Sequence, residues 1–87
     1  MKLRSEFLSH RNGGEAFIIP ADGAKFSGLV RGNRTLGDVA DLIKDDTNEQ
    51  AIITAMREKY DAPAGVIERD VKKALEILRE IGALDEH

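Results

Sequence analysis

The sequence predicts an α+β fold, a three-stranded antiparallel sheet followed by three helices. Two observations carry that expectation. In the first third of the chain, apolar and polar residues alternate on either side of an Asn12-Gly13 pair, a period of two that folds back on itself. From Thr35 onward the period becomes helical, and capping and connector signals divide the stretch into three. Strands first and helices afterwards, joined by short connections, are the mark of the α+β class.

The first two strands form a hairpin in "LRSEFLSHRNGGEAFIIP". Asn12-Gly13 is a strong turn signal, because a type I′ turn needs positive φ at both central residues. With that pair as the loop, Arg11 faces Gly14, Ser9 faces Ala16 and Phe7 faces Ile18. Leu3, Ser5 and Phe7 alternate with Arg4, Glu6 and Leu8, as a half-buried antiparallel pair requires. Pro20 ends the second strand and Ala21-Asp22-Gly23 turns the chain. The third strand spans Lys25 to Arg31, with Phe26, Leu29 and Val30 available to the core, and Gly28 marks a bulge in it.

The first helix is expected over about 35–44, with Leu36, Val39, Ala40, Leu42 and Ile43 on one face and Thr35 and Asp38 as a near capping box. Thr47-Asn48-Glu49-Gln50 is a full capping-box pattern. It opens a second helix over about 48–60 with the stripe Ile52, Ile53, Met56 and Tyr60. Pro63 suits the first turn of a third helix over about 64–81. Ile67, Val71, Ala74, Leu75, Leu78 and Ile81 fall in one arc of its wheel, Gly82 caps its end, and Leu84 folds back onto the core. With the sheet over about 2–31, residues 1–87 read as one domain with a winged helix-turn-helix layout.

Composition agrees with a small soluble protein. At 87 residues, 41% apolar and 33% charged, the chain has room for one modest core. No apolar run approaches the ~18 residues of a membrane span. The N-terminus has no apolar segment of a signal peptide, and there is no cysteine to pair or to ligate zinc, so a cytoplasmic setting is expected. The net charge of −3 divides into six Lys/Arg against three acids over residues 1–34 and seven against thirteen over 35–87. A duplex-DNA binder has a basic stripe instead, so no nucleic-acid partner is expected.

No motif for catalysis stands out. "GLVRGNRT", Gly28 to Thr35, looks like a P-loop with its second glycine one place early and Arg34 in the lysine slot. The true motif needs correctly placed glycine amides around the phosphates and a lysine that reaches them, so the stretch reads as a strand end, a Gly32-Asn33 turn and a helix cap. His10 and His87 are the only histidines and stand far apart in sequence, so neither a metal site nor an acid–base pair is expected. The expectation is a chain without catalytic residues, metal or cofactor.

What remains is a surface. A third strand at the sheet edge has free N–H and C=O groups, which an added strand can pair with unless charges such as Lys25 and Arg31 blunt the edge. With the edge open beside the third helix, the two form a groove. Val66, Asp70, Lys73 and Ile77 lie on one shoulder of that helix's core arc; Lys72, Glu76 and Arg79 lie beyond the other.

These features together resemble the PqqD-like family. The resemblance rests on Phe26-x-Gly28 and Asn33-x-Thr35 leading into the first helix, Thr47 before the second, and Tyr60-Asp61 at its end. Asp70-Val71 and the closing Leu78-x-x-x-Gly82-x-Leu84 complete it. It covers nearly the whole chain. Members are RiPP recognition elements, non-catalytic winged-helix domains that bind the leader segment of a ribosomally made precursor peptide. They present it to a modifying enzyme, often a radical S-adenosylmethionine maturase.

In the family the leader adds as a strand beside strand three, against the third helix. Carried over, this implies peptide-binding residues Lys25, Phe26, Ser27, Gly28, Leu29, Val30 and Arg31 on the strand. On the helix it implies Asp70, Lys73, Ala74 and Ile77. Many relatives have a leucine or similar residue where this chain has Gly32. The partners implied are the leader peptide and the modifying enzyme, with no membrane, and the chain as monomer or weak dimer. The alternative reading is a winged-helix DNA-binding or regulatory domain, for which Arg69, Lys72, Lys73 and Arg79 would supply the cations.

Overall fold

The computed structural model describes residues 1–21, 23–25 and 27–86. Their elements run β1 (Lys2–Leu3), β2 (Phe7–Asn12), β3 (Glu15–Pro20), β4 (Val30–Gly32), α1 (Arg34–Leu42), α2 (Glu49–Lys59), α3 (Val66–Glu80) and β5 (Leu84–Asp85). The expected α+β class holds: an antiparallel sheet of order β2-β3-β4 precedes three helices. A second, two-stranded sheet pairs β1 with β5, with Leu3 opposite Leu84. The expected fold-back of Leu84 onto the core is thus made as a strand. Leu3 belongs to this small sheet rather than to the hairpin.

The hairpin turns one residue later than expected. Asn12 pairs with Glu15, Arg11 with Ala16, Ser9 with Ile18 and Phe7 with Pro20, so the loop is Gly13-Gly14. Only Gly13 of the two has positive φ, at 64°. That is the demand of a type II′ turn, which wants glycine at its first central position and which Gly13-Gly14 meets better than Asn12-Gly13. The face assignment survives because the slip moves the pairing by two residues. Phe7, Ala16 and Ile18 are buried, while Leu8 stands 59% exposed on the other face.

The third strand is shorter than Lys25 to Arg31. Pairing with β3 runs only over Ile18–Val30, Phe17–Arg31 and Ala16–Gly32. Gly28 has φ 118°, outside the extended region, and Ser27 to Leu29 take no part in the ladder. Leu29 is 59% exposed and does not reach the core; Val30 packs against it. Asp22, Phe26 and His87 lie outside the described residues, so the expected turn at Asp22 and core place of Phe26 do as well.

The helices form by amphipathic patterning and asparagine caps. Asn33 Oδ1 accepts from Leu36 N at 3.0 Å, and Asn48 Oδ1 accepts from Ala51 N at 2.8 Å. Thr35 and Thr47 are therefore not the caps: a nearby asparagine, the stronger capping residue, takes the position two residues before Thr35 and directly after Thr47. The third helix begins at Val66, after the Pro63 to Gly65 connector rather than within it. α1 packs on β2, β3 and β4, and α3 packs on α1 and α2. The core between these layers holds Ile18, Leu36, Val39, Ile52, Val71, Leu75 and Leu78, each at most 1% exposed.

Candidate functional site

β4 is an edge strand, and α1 starts two residues after it ends. The Asn33 cap fixes this corner and turns Leu36 inward beneath it. A groove of about 240 Å³ runs between the corner and α3. Gly32 and Asn33 form one side, Leu36 the floor, and Asp70, Lys73, Ala74 and Ile77 the other side. A β-carbon on Gly32 would overlap the Leu36 side chain, so glycine is what lets the strand end lie this close to Leu36.

The four residues singled out on the third helix, Asp70, Lys73, Ala74 and Ile77, thus share one wall. Of the strand residues, Val30 and Arg31 lie on β4, beside the groove rather than in its lining, while Lys25, Ser27, Gly28 and Leu29 precede the strand. Phe26 is outside the described residues. Arg31 forms an ion pair with Glu15 across the β3–β4 ladder, so its charge is partly engaged on the outer face of the sheet.

A second hollow, of about 250 Å³, opens where the start of α1, the end of α2 and the start of α3 meet. Met56, Val66 and Ile67 supply its apolar surface, Tyr60 a wall, and Arg34, Asp61 and Asp70 polar groups. Asp70 lines both hollows.

Tyr60 is held from behind. Its hydroxyl donates to Asp38 Oδ2, while Lys59 Nζ donates to Asp38 Oδ1 at 2.9 Å and Arg11 Nη2 donates to the same oxygen. Asp38 is 3% exposed, the one buried charged side chain among the described residues, and its three donors come from β2 and from the end of α2. Burial pushes the Asp38 carboxyl up, but the hydrogen bonds from Tyr60, Lys59 and Arg11 outweigh it and hold it below the usual carboxylate range. The Tyr60 phenol is pushed up, first by burial and then by its bond to Asp38. Arg11 reaches Asp38 over Gly37, where a β-carbon would sit 2.6 Å from Arg11 Nε. Asp38 is therefore an anchor between three elements and not a capping residue.

Comparison with known families gives a match to coenzyme PQQ synthesis protein D (PqqD) over residues 10–84. The chain belongs to the PqqD family. Among solved structures, "TbiB1 in Complex with the TbiA(beta) Leader Peptide" is similar with a TM-score of 0.77, at 16% sequence identity, over 100% of this chain and 98% of that one. At that identity the likeness is one of fold. A comparison with curated proteins found no match.

In this PqqD-family chain the expected site residues omit Asn33 and Leu36, which complete the groove with Gly32, and the second hollow with Arg34, Tyr60 and Asp61. The signal for the first set was present in the Gly32-Asn33 turn, since a corner between an edge strand and a helix is where a groove must open. Nothing in the spacing of Arg11, Asp38 and Lys59 announces their meeting. Among the described residues no group of three His, Cys, Asp or Glu side chains is set to hold a metal ion, and no helix is long and apolar enough to cross a membrane.

Proposed function

We propose that this chain is a non-catalytic adaptor. In this reading it binds the leader segment of a ribosomally made precursor peptide as a strand added to β4, against α3, and presents it to a modifying enzyme. The observation that carries the proposal is the groove between the edge strand β4 and the Asp70–Ile77 wall of α3. Main-chain pairing to the edge supplies affinity, and the apolar floor at Leu36, Ala74 and Ile77 supplies side-chain selectivity. Membership of the PqqD family supports the reading, and so does the likeness in fold to a protein described in complex with a leader peptide. The pairing edge in this proposal is Val30–Gly32, with Lys25 to Leu29 flanking it, and the peptide spans about ten residues on the length scale of strands.

The enzyme partner belongs to the radical S-adenosylmethionine maturases or to another class of peptide-modifying enzyme, and the setting is cytoplasmic. The exposed face of α3 mixes signs, with Arg79 bound to Glu86 and Arg57 of α2 bound to Glu68, which does not favour a duplex-DNA partner. The test is a titration of isotope-labelled protein with the precursor encoded beside its gene. Amide shifts along Val30–Gly32 and Asp70–Ile77 are the expected result. Shifts centred on the Gly13-Gly14 end of the hairpin or on the first turns of α2, with β4 silent, would overturn it.

A further inference from the structure

The groove on β4 does not end at Asp70. The second hollow shares Asp70 with it on α3, and its lining suits an apolar side chain: apolar surface from Met56, Val66 and Ile67, with Arg34, Asp61 and Asp70 supplying polar groups. One wall is Tyr60, whose hydroxyl is fixed by Asp38, so the ring is held in place before anything binds. The α3 residues lining the two hollows are centred about six positions apart, roughly 9 Å of helix. An extended chain covers that distance in about three residues at ~3.3 Å each.

We propose that the second hollow takes one apolar side chain, aromatic or branched aliphatic, of the same extended peptide that pairs with β4. The peptide is then read at two anchors about three residues apart, one over Leu36 and Ala74 and the other against Met56, Ile67 and Tyr60. This rests on the strand-addition reading and adds a substrate rule to it: β4 fixes the path of the backbone, and the paired hollows select the sequence. The occupant is argued from continuity, since Asp70 belongs to both hollows and Gly32 and Asn33 at the first are followed in the chain by Arg34 and Thr35 at the second.

The experiment uses twelve-residue random peptides displayed on phage and selected on the full chain, followed by alanine scans of the synthetic winners. The expected result is two apolar positions two to four residues apart. Each should cost about tenfold or more in affinity when replaced by alanine, the scale of one buried apolar side chain. With the parent peptide, amide shifts should include Tyr60–Ala62 and Val66–Ile67 as well as β4. Val66→Phe, which fills the second hollow from a half-buried position, should cost about tenfold and abolish the effect of alanine at one anchor only. Winners with a single anchor that shift Val30–Gly32 while leaving Tyr60–Ile67 silent would sink the second anchor and leave strand addition standing. Winners that leave Val30–Gly32 silent, or a selection with no winners, would sink both. The peptide-side alanine scan decides the matter even if Val66→Phe fails to fold.

Discussion

Asp38 of α1 and Tyr60 at the end of α2 are joined by a hydrogen bond from the phenol to the carboxylate, and Asp38 is otherwise reached only from Arg11 and Lys59 among the described residues. A hydrogen bond to a charged acceptor contributes about 1.5–3 kcal/mol net. Tyr60→Phe leaves the ring and two cationic donors in place, so the loss should lie near the low end, about 1.5 kcal/mol. Asp38→Ala removes all three bonds at once and should cost more. For a domain of this size each kcal/mol lowers Tm by roughly 4–8 °C, so thermal denaturation resolves both variants and their order.

The same carboxyl makes stability depend on acid. Its folded pKa lies below the ordinary value, since the donors from Tyr60, Lys59 and Arg11 outweigh the opposing effect of burial. A depressed pKa means the contribution is fully present above the unfolded value, about 3.9 for Asp, and is lost as pH falls through the folded value. Glu68, paired with Arg57, and Glu86, paired with Arg79, are also lowered and add to the acid limb. Denaturant titrations from pH 6 downward should therefore show stability falling below about pH 4. Asp38→Asn should be weaker at neutral pH and have a shallower acid limb. An identical limb in the variant would remove Asp38 from the account.

Leu75 and Leu78 are 1% and 0% exposed on the buried face of α3. An aspartate at either place puts an unpaired carboxylate into the core, a cost of about 3 kcal/mol or more that a small domain has little stability to absorb. Leu75→Asp or Leu78→Asp should leave the protein unfolded, as read from amide dispersion in NMR spectra.

The parts that were legible in the sequence are those in which one local rule acts alone. The stripe Ile67, Val71, Ala74, Leu75 and Leu78 is buried because a period of 3.6 has one solution, and the alternation around Phe7 and Ile18 fixes the buried face of the hairpin. Where two rules compete, the outcome depends on packing. Asn12-Gly13 and Gly13-Gly14 are both good turns, and β3 settled which is used through its register. Thr35 and Asn33 both can cap, and asparagine won. The groove was half legible: its α3 wall follows from the wheel, whereas Leu36 serves as both core residue and groove floor. The Asp38 cluster joins positions 11, 38, 59 and 60, and only the tertiary fold brings these together.

Lys73 stands on the groove wall beside Asp70, and Arg31 is turned to Glu15. Of the cations near β4 and the start of α1, Lys73 and Arg34 are therefore the ones lining the hollows, where they favour a leader that carries acidic residues. Lys73→Glu should leave Tm unchanged and weaken binding of an acidic leader several-fold, mainly through a slower on-rate. The wild-type affinity should fall with added salt, and the variant's should fall less. Stopped-flow association at two ionic strengths measures both.

Gly32 gives the most direct test of the groove. Its missing side chain lets the end of β4 lie against Leu36 at the base of the groove, and a β-carbon there would overlap the Leu36 side chain. Gly32→Leu must either push Leu36 out of the core or project into the groove. The first course is overpacking, with a cost of about 1–3 kcal/mol in stability. The second leaves the fold stable and fills the space that a peptide side chain would take, with a loss of tenfold or more in affinity, the scale of one apolar side chain. Gly32 lies at the end of an edge strand, and the closest atom its β-carbon would meet is the far end of the flexible Leu36 side chain, so the second course is expected. The melting temperature should move by only a few degrees while peptide affinity falls at least tenfold. Affinity unchanged in a stable Gly32→Leu protein would mean that no peptide side chain enters between Gly32 and Ile77.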